Sequence, residues 1–140
     1  MALHFTAEEL AARRKAAADE LADRGLDGLL LFRQESMYYL TGYETFGYVF
    51  FQCLYMGADG ETLSLLTRTP DVRQAEHTSV IEDIRVWYDA EGADPAWDLK
   101  EILEEHGCGG KRLGIETDAY GLTGYNLNSA TFHRPPSRCW

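Results

Sequence analysis

Leu10, Ala17 and Leu21 recur at helical spacing within a segment of alanines and charged residues. That pattern predicts an amphipathic helix. Thr6-Ala7-Glu8-Glu9 forms a capping box at its start, in which the Thr6 hydroxyl can accept from the Glu9 amide and the Glu9 carboxylate can reach back. Phe5 and Leu10 are placed for a hydrophobic staple, and Gly25 ends the helix. Arg13, Arg14 and Lys15 fall between the apolar positions, partly on the solvated face. The run Gly28-Leu29-Leu30-Leu31-Phe32 has no polar position. It predicts a strand buried on both faces, expected at the centre of a sheet.

Ser36 to Leu40 can make one helical turn, broken at Gly42. Tyr48 to Met56 reads as a long aromatic strand, Gly57-Ala58-Asp59-Gly60 as a turn, and Thr62 to Thr67 as the returning strand of a β-hairpin. Pro70 to Thr78 predicts a short helix and Ile84 to Tyr88 a fourth strand. Asp94 caps a further helix with Pro95 at its first position. Trp97, Ile102 and Leu103 would supply its apolar side, and His106-Gly107 would close it. Arg112 to Glu116 is a fifth strand, and a last helix is expected to start near Thr123. Residues 132–140 are aperiodic and read as an irregular tail, leaving one domain over residues 1–131. The fold class is α/β: a mixed sheet of five to six strands flanked by helices.

The chain has 140 residues, 45% of them hydrophobic, enough for one substantial core. It contains no run of about 18 apolar residues and no secretory leader pattern. A net charge of −10 repels phosphates and anionic lipid surfaces, so nucleic acid and membrane are not expected partners. Cys53, Cys108 and Cys139 are odd in number and widely spaced, which fits neither a disulfide framework nor a zinc motif. A reducing cytoplasm is the default location, with Cys53 as a small core residue.

Motifs that carry chemistry are scarce. Gly107, Gly109 and Gly110 lie between a helix and a strand, whereas phosphate-binding loops run from strand to helix. His4, His77, His106 and His133 include no pair four residues apart. His77, near Glu76 and Glu82, is the best lone metal candidate, and a surface histidine at a helix end is the plainer reading. Ser36 and Ser79 lack a nucleophile-elbow setting. Glu35, Asp89 and Glu116 stand at strand ends and could converge on Mg²⁺, or be solvated loop acids. Tyr38, Tyr39 and Tyr43 form an aromatic cluster that suits either core packing or a pocket wall. The chain alone is expected to be inactive, with no catalytic residue and no metal ligand assigned.

Three ordered stretches carry a resemblance. Arg13 with Gly25-Leu26-Asp27-Gly28-Leu29-Leu30-Leu31 is similar to the "R…GLDALL" opening of creatinase/prolidase N-terminal domains. Tyr38-Tyr39-Leu40-Thr41-Gly42-Tyr43 resembles their "YLTGY" turn, and Arg112-Leu113-Gly114-Ile115-Glu116 their "RIGIE" strand. The resemblance implies a mixed α/β N-terminal domain with a ribonuclease H-like motif. In full-length members it precedes a "pita-bread" catalytic domain that is expected to be absent here. A divalent metal would belong to that missing domain, with no cofactor in this chain. The implied partners are the chain's own C-terminal catalytic domain and a second copy in a homodimer.

In creatinases an "FGR" segment reaches into the neighbouring active site. Phe46-Gly47-Tyr48 matches it, with Tyr48 in place of the arginine. The resemblance therefore implies that Phe46 and Tyr48 bind substrate. Loss of a fixed cation argues against creatine and toward a peptidase acting on Xaa-Pro dipeptides. The expected function is a non-catalytic N-terminal domain of an Xaa-Pro dipeptidase or creatinase-type hydrolase, contributing to dimerisation and pocket shape. The alternative is a free-standing binding module derived from this domain. Because no His or Cys grouping offers a closed site, Zn²⁺, Mn²⁺ and Mg²⁺ should leave the thermal midpoint of the chain unchanged. A saturable rise in Tm in any of the three titrations would contradict this.

Overall fold

The computed structural model describes residues 3–123. Its elements in chain order are α1 (Ala7–Asp23), β1 (Gly28–Leu31), α2 (Gln34–Thr41), β2 (Cys53–Gly57), β3 (Leu63–Arg68), α3 (Thr69–Thr78), β4 (Asp83–Trp87), α4 (Pro95–Glu105) and β5 (Leu113–Ile115). The expected helix near Thr123 falls, beyond Thr123 itself, outside the described residues, as does the expected tail. Among the described residues no helix is long and apolar enough to cross a membrane.

The five strands form one mixed sheet in the order β4-β3-β2-β1-β5. β2 pairs antiparallel with both β1 and β3, with Cys53 opposite Leu66 in the expected hairpin. β4 and β5 add in parallel at the two edges. The middle strand is therefore β2, not β1, which lies one place toward β5.

Side chains alternate between the faces of the strands. Leu30, Cys53, Tyr55 and Leu66 point to one core, where Leu99, Ile102 and Leu103 of α4 cover them. Leu31, Leu54, Met56 and Leu65 point to the other, covered by Leu21 of α1, Met37 and Leu40 of α2, and Ala75 of α3. The edge strands are protected differently. β5 is three residues long, and β4 carries Asp83 and Arg85, which pair with each other. Arg85 also pairs with Glu105, tying β4 to the end of α4.

The helix ends follow their caps. Thr6 accepts from the Glu9 amide at 3.1 Å, and Asp94 accepts from Ala96 with Pro95 in the first turn. The Glu9 carboxylate does not reach back; it pairs with Arg13. Trp97 departs from the expectation for α4: it stands 45% exposed, with Lys100 over its ring, while Ile102 and Leu103 are buried.

Arg14 is the largest departure on α1, because it is buried rather than partly solvated. Its Nε donates to the Gly60 carbonyl at 3.0 Å and its Nη1 to the Leu40 carbonyl at 3.1 Å. One side chain thus joins α1 to the β2–β3 turn and to the end of α2. Arg14→Leu would leave both carbonyls without their charged donor and should lower stability by about 2 kcal/mol. Lys15→Ala, on the exposed face, should stay within about 0.5 kcal/mol; chemical denaturation of both variants checks the contrast.

Candidate functional site

The segment between α2 and β2 leaves the sheet. Gly42 caps α2 in the left-handed conformation at φ 81°, and a Cβ there would lie 2.8 Å from the Thr78 carbonyl oxygen. No other residue fits this position without strain. Tyr43 follows and is fully buried. Its hydroxyl donates to Gln52 Oε1 at 2.7 Å and lies 3.4 Å from Thr67 Oγ1. Burial pushes the Tyr43 pKa up to about 12 and the charge of Asp71 adds to this, while hydrogen bonds with Thr45 and Thr67 offset part of it. The phenol therefore stays a donor at neutral pH.

Thr45 is the hub of the loop base. Its hydroxyl donates to Asp71 Oδ1 at 2.9 Å and accepts from the Gly47 amide at 2.9 Å and from Gln52 Nε2 at 3.2 Å. The Phe46 amide donates to Gln74 Oε1 of α3 at 3.4 Å. Gly47 is pressed against this network: a Cβ would stand 2.6 Å from Gln52 Nε2 and 2.7 Å from Asp71 Oδ1. The Phe50 amide closes a turn onto the Gly47 carbonyl at 2.9 Å. The Trp87 indole donates to the Phe51 carbonyl at 2.9 Å. That bond explains why the strand expected from Tyr48 begins only at Cys53: residues 48–50 turn, and the Phe51 carbonyl is taken by a side chain instead of a ladder partner.

Above this buried base the loop presents an aromatic tip. Phe46 is 80% and Tyr48 44% exposed, with Val49 and Phe50 also exposed. Both residues singled out from the sequence stand at this tip and not in either core. Three neighbours were not anticipated. Tyr120 meets Tyr48 edge to face at 5.8 Å, and Arg68 lies 3.7 Å from the Phe50 ring centroid. The third is Gly121, whose backbone packs on the Phe50 carbonyl. Tyr120 and Gly121 lie some seventy residues from the loop, so no local pattern links them to it.

The other candidates disperse. The tyrosine cluster splits: Tyr38 packs with His4 and Phe5, Tyr39 lies against Arg13, and Tyr43 enters the core. The strand-end acids take separate partners. Glu35 pairs with Arg33 and Asp89 with Arg68. Glu116 accepts from the Phe32 and Arg33 amides at 3.0 and 2.9 Å and from Ser36 Oγ, which satisfies the start of α2. Among the described residues no group of three or more His, Cys, Asp or Glu is placed to hold a metal ion. Cys53 is fully buried, and burial pushes its thiol pKa far up, leaving it an unreactive core residue. His77 is an exposed residue in the last turn of α3.

Comparison with known proteins places these features in context. The sequence profile of the Creatinase/Prolidase N-terminal domain matches residues 13–135. Ectoine hydrolase from Halomonas elongata is 38% identical over 61 residues, which is 44% of this chain and 15% of that protein. A dipeptidase from Pyrococcus horikoshii OT3 superposes with a TM-score of 0.68 at 26% identity, covering 86% of this chain and 31% of its own. The creatinase/prolidase N-terminal domain of an X-Pro dipeptidase from Streptococcus pyogenes gives a TM-score of 0.71 at 17% identity, covering 89% and 88%. The chain thus spans a minor part of the hydrolase and dipeptidase it matches, and nearly all of an isolated N-terminal domain.

The crowding at Gly47 sets a test of the loop base. Gly47→Ala must displace Asp71 or Gln52, both buried and hydrogen-bonded, and should cost about 2 kcal/mol. Gly109→Ala, where a Cβ meets nothing within 4 Å, should stay within about 0.5 kcal/mol. Equal midpoints for the two variants in urea would refute the packed base.

Proposed function

Because the chain belongs to the Creatinase/Prolidase N-terminal domain family, we propose that it is the non-catalytic domain of a metal-dependent hydrolase, shaping substrate access where it meets a second subunit. The enzyme in question is of the Xaa-Pro dipeptidase or ectoine hydrolase kind, since these are the relatives it matches. The observation that carries the reading is the aromatic tip raised on a buried polar base. Exposing Phe46, Tyr48, Val49 and Phe50 together is unfavourable in water, and a covering surface removes that cost. The base is pre-organised by Thr45, Asp71 and Gln52, so little ordering is left for the moment of contact. Tyr48 offers a hydroxyl and a ring but no charge, which suits a neutral group on the substrate better than the carboxylate of creatine. Cys53 and Cys108 are free and buried, in keeping with a reducing cytoplasm. The metal chemistry belongs to the catalytic domain of the parent enzyme.

In an intact hydrolase carrying this domain, Phe46→Ala should lower kcat/KM by about tenfold, near 1.4 kcal/mol, with the thermal midpoint unmoved. Tyr48→Phe should cost about 0.5–1.5 kcal/mol in kcat/KM if its hydroxyl meets a neutral group. Wild-type kinetics for Phe46→Ala would reject the loop, and wild-type kinetics for Tyr48→Phe would reject the hydroxyl.

A further inference from the structure

Soon after β5 the chain crosses the aromatic loop, over residues 118–122. Asp118 turns it with a positive φ of 61°, a conformation that Asp tolerates better than most side chains. Ala119 and Leu122 pack, partly buried, against the core covered by α4, and the Leu122 amide donates to the Ala119 carbonyl at 3.2 Å. Gly121 is buried within this strap, against the backbone of the loop. A Cβ there would overlap the Phe50 carbonyl oxygen outright and stand 2.7 Å from the carbonyl carbon and 3.3 Å from the Phe51 Cα. The obstacle is main chain, so no change of rotamer can relieve it. Tyr120, one residue earlier, meets Tyr48 edge to face at 5.8 Å and is itself 81% exposed.

The strap therefore touches the tip twice, by backbone at Phe50 and by a ring at Tyr48. Phe50 and Phe51 are also pinned from other sides. The Phe50 amide donates to the Gly47 carbonyl, the Trp87 indole holds the Phe51 carbonyl, and Arg68 lies over the Phe50 ring while reaching Asp89 at 3.8 Å. Those contacts fix the loop backbone, and Tyr120 steadies the Tyr48 ring above it. We propose that Gly121 is a positioning residue of the tip: its bare backbone, seated on the Phe50 carbonyl, sets the height at which Tyr120 buttresses Tyr48. A side chain at position 121 lifts the strap from the loop and withdraws Tyr120 from Tyr48, while both cores and the Thr45–Asp71 bond stay in place. The effect on catalysis in the parent enzyme rests on the proposed role of the tip; the packing of strap on loop does not.

The test compares Gly121→Ala, Tyr120→Ala and Tyr120→Phe, with Gly109→Ala as the control. In the chain, amide hydrogen exchange followed by ¹H–¹⁵N NMR should quicken at Phe50 by at least about tenfold in Gly121→Ala and not in the control. The NOEs between the rings of Tyr48 and Tyr120 should vanish in the same variant, while the amides of β2 and β3 keep their chemical shifts. Unchanged exchange at Phe50, persisting NOEs, or shifts spread through β2 and β3 would each overturn the proposal. Should Gly121→Ala fail to fold, Tyr120→Ala decides: its Tyr48 ring resonances should lose the ring-current shift from Tyr120, and unmoved resonances would overturn the buttress. In an intact hydrolase carrying this domain, Gly121→Ala and Tyr120→Ala should each raise KM by about fivefold with kcat within about twofold, and Tyr120→Phe should restore KM. Wild-type KM for both alanine variants, in an enzyme that Phe46→Ala impairs, would also overturn the proposal. Wild-type kinetics for Phe46→Ala would reject the role of the tip itself and leave the exchange result standing.

Discussion

Burial on both faces of β1, β2 and β3 governs this structure. Leu30 and Leu31, Cys53 and Leu54, and Leu65 and Leu66 are neighbours in sequence that must each be hidden on opposite sides. Three helices have to pack on one face and one on the other before the sheet is stable. The chain can meet that demand only by leaving the sheet between strands, and the connection from α2 to β2 is the longest such excursion between β1 and β4. Its polar backbone groups are satisfied inward, by Thr45, Gln74, Thr78 and Trp87, which is what frees its aromatic side chains to face outward.

The loop therefore combines two properties that usually oppose each other. Its base is as constrained as core: Tyr43 and Thr67 are fully buried, and Tyr43, Gln52, Thr45 and Asp71 are joined in one continuous chain of hydrogen bonds. Its tip is solvent-facing. A rigid pedestal under an apolar tip limits the entropy lost on contact, which makes such a tip effective for recognition. The same pedestal ties the loop to α3, through Asp71 and Gln74.

Much of the fold could be read from local chemistry. The hairpin, the Thr6 and Asp94 caps, the left-handed Gly42 and the helix from Pro70 all depend on residues within a few positions of one another. What escaped reading is tertiary. Arg14 carries a charge and a long stem, and nothing nearby signals that two carbonyls from distant turns will take its donors. Tyr48 to Gln52 has strand composition, and the Trp87 indole overrides it. Trp97 has the bulk for a core position but falls on the outer side of α4. Phe46 and Tyr48 were singled out through the resemblance of Phe46-Gly47-Tyr48 to a known segment, and the structure puts both at the loop tip, whereas their neighbours Tyr120 and Arg68 were not foreseen, because only the fold brings them near.

Glu116 has a consequence for how the protein is made. Its carboxylate accepts from the Phe32 and Arg33 amides across 84 and 83 residues, and β5 pairs with β1 over the same span. During synthesis α1, β1 and α2 leave the ribosome long before this strand exists. One edge of β1 and the amides at the start of α2 must wait, unpaired, while the next eighty residues are translated. At about 5–20 residues per second that interval lasts roughly 4–16 s, far longer than a hairpin needs to form. The β2–β3 hairpin can therefore be in place first, and the last strand acts as the closing step of a sheet assembled from its middle outward.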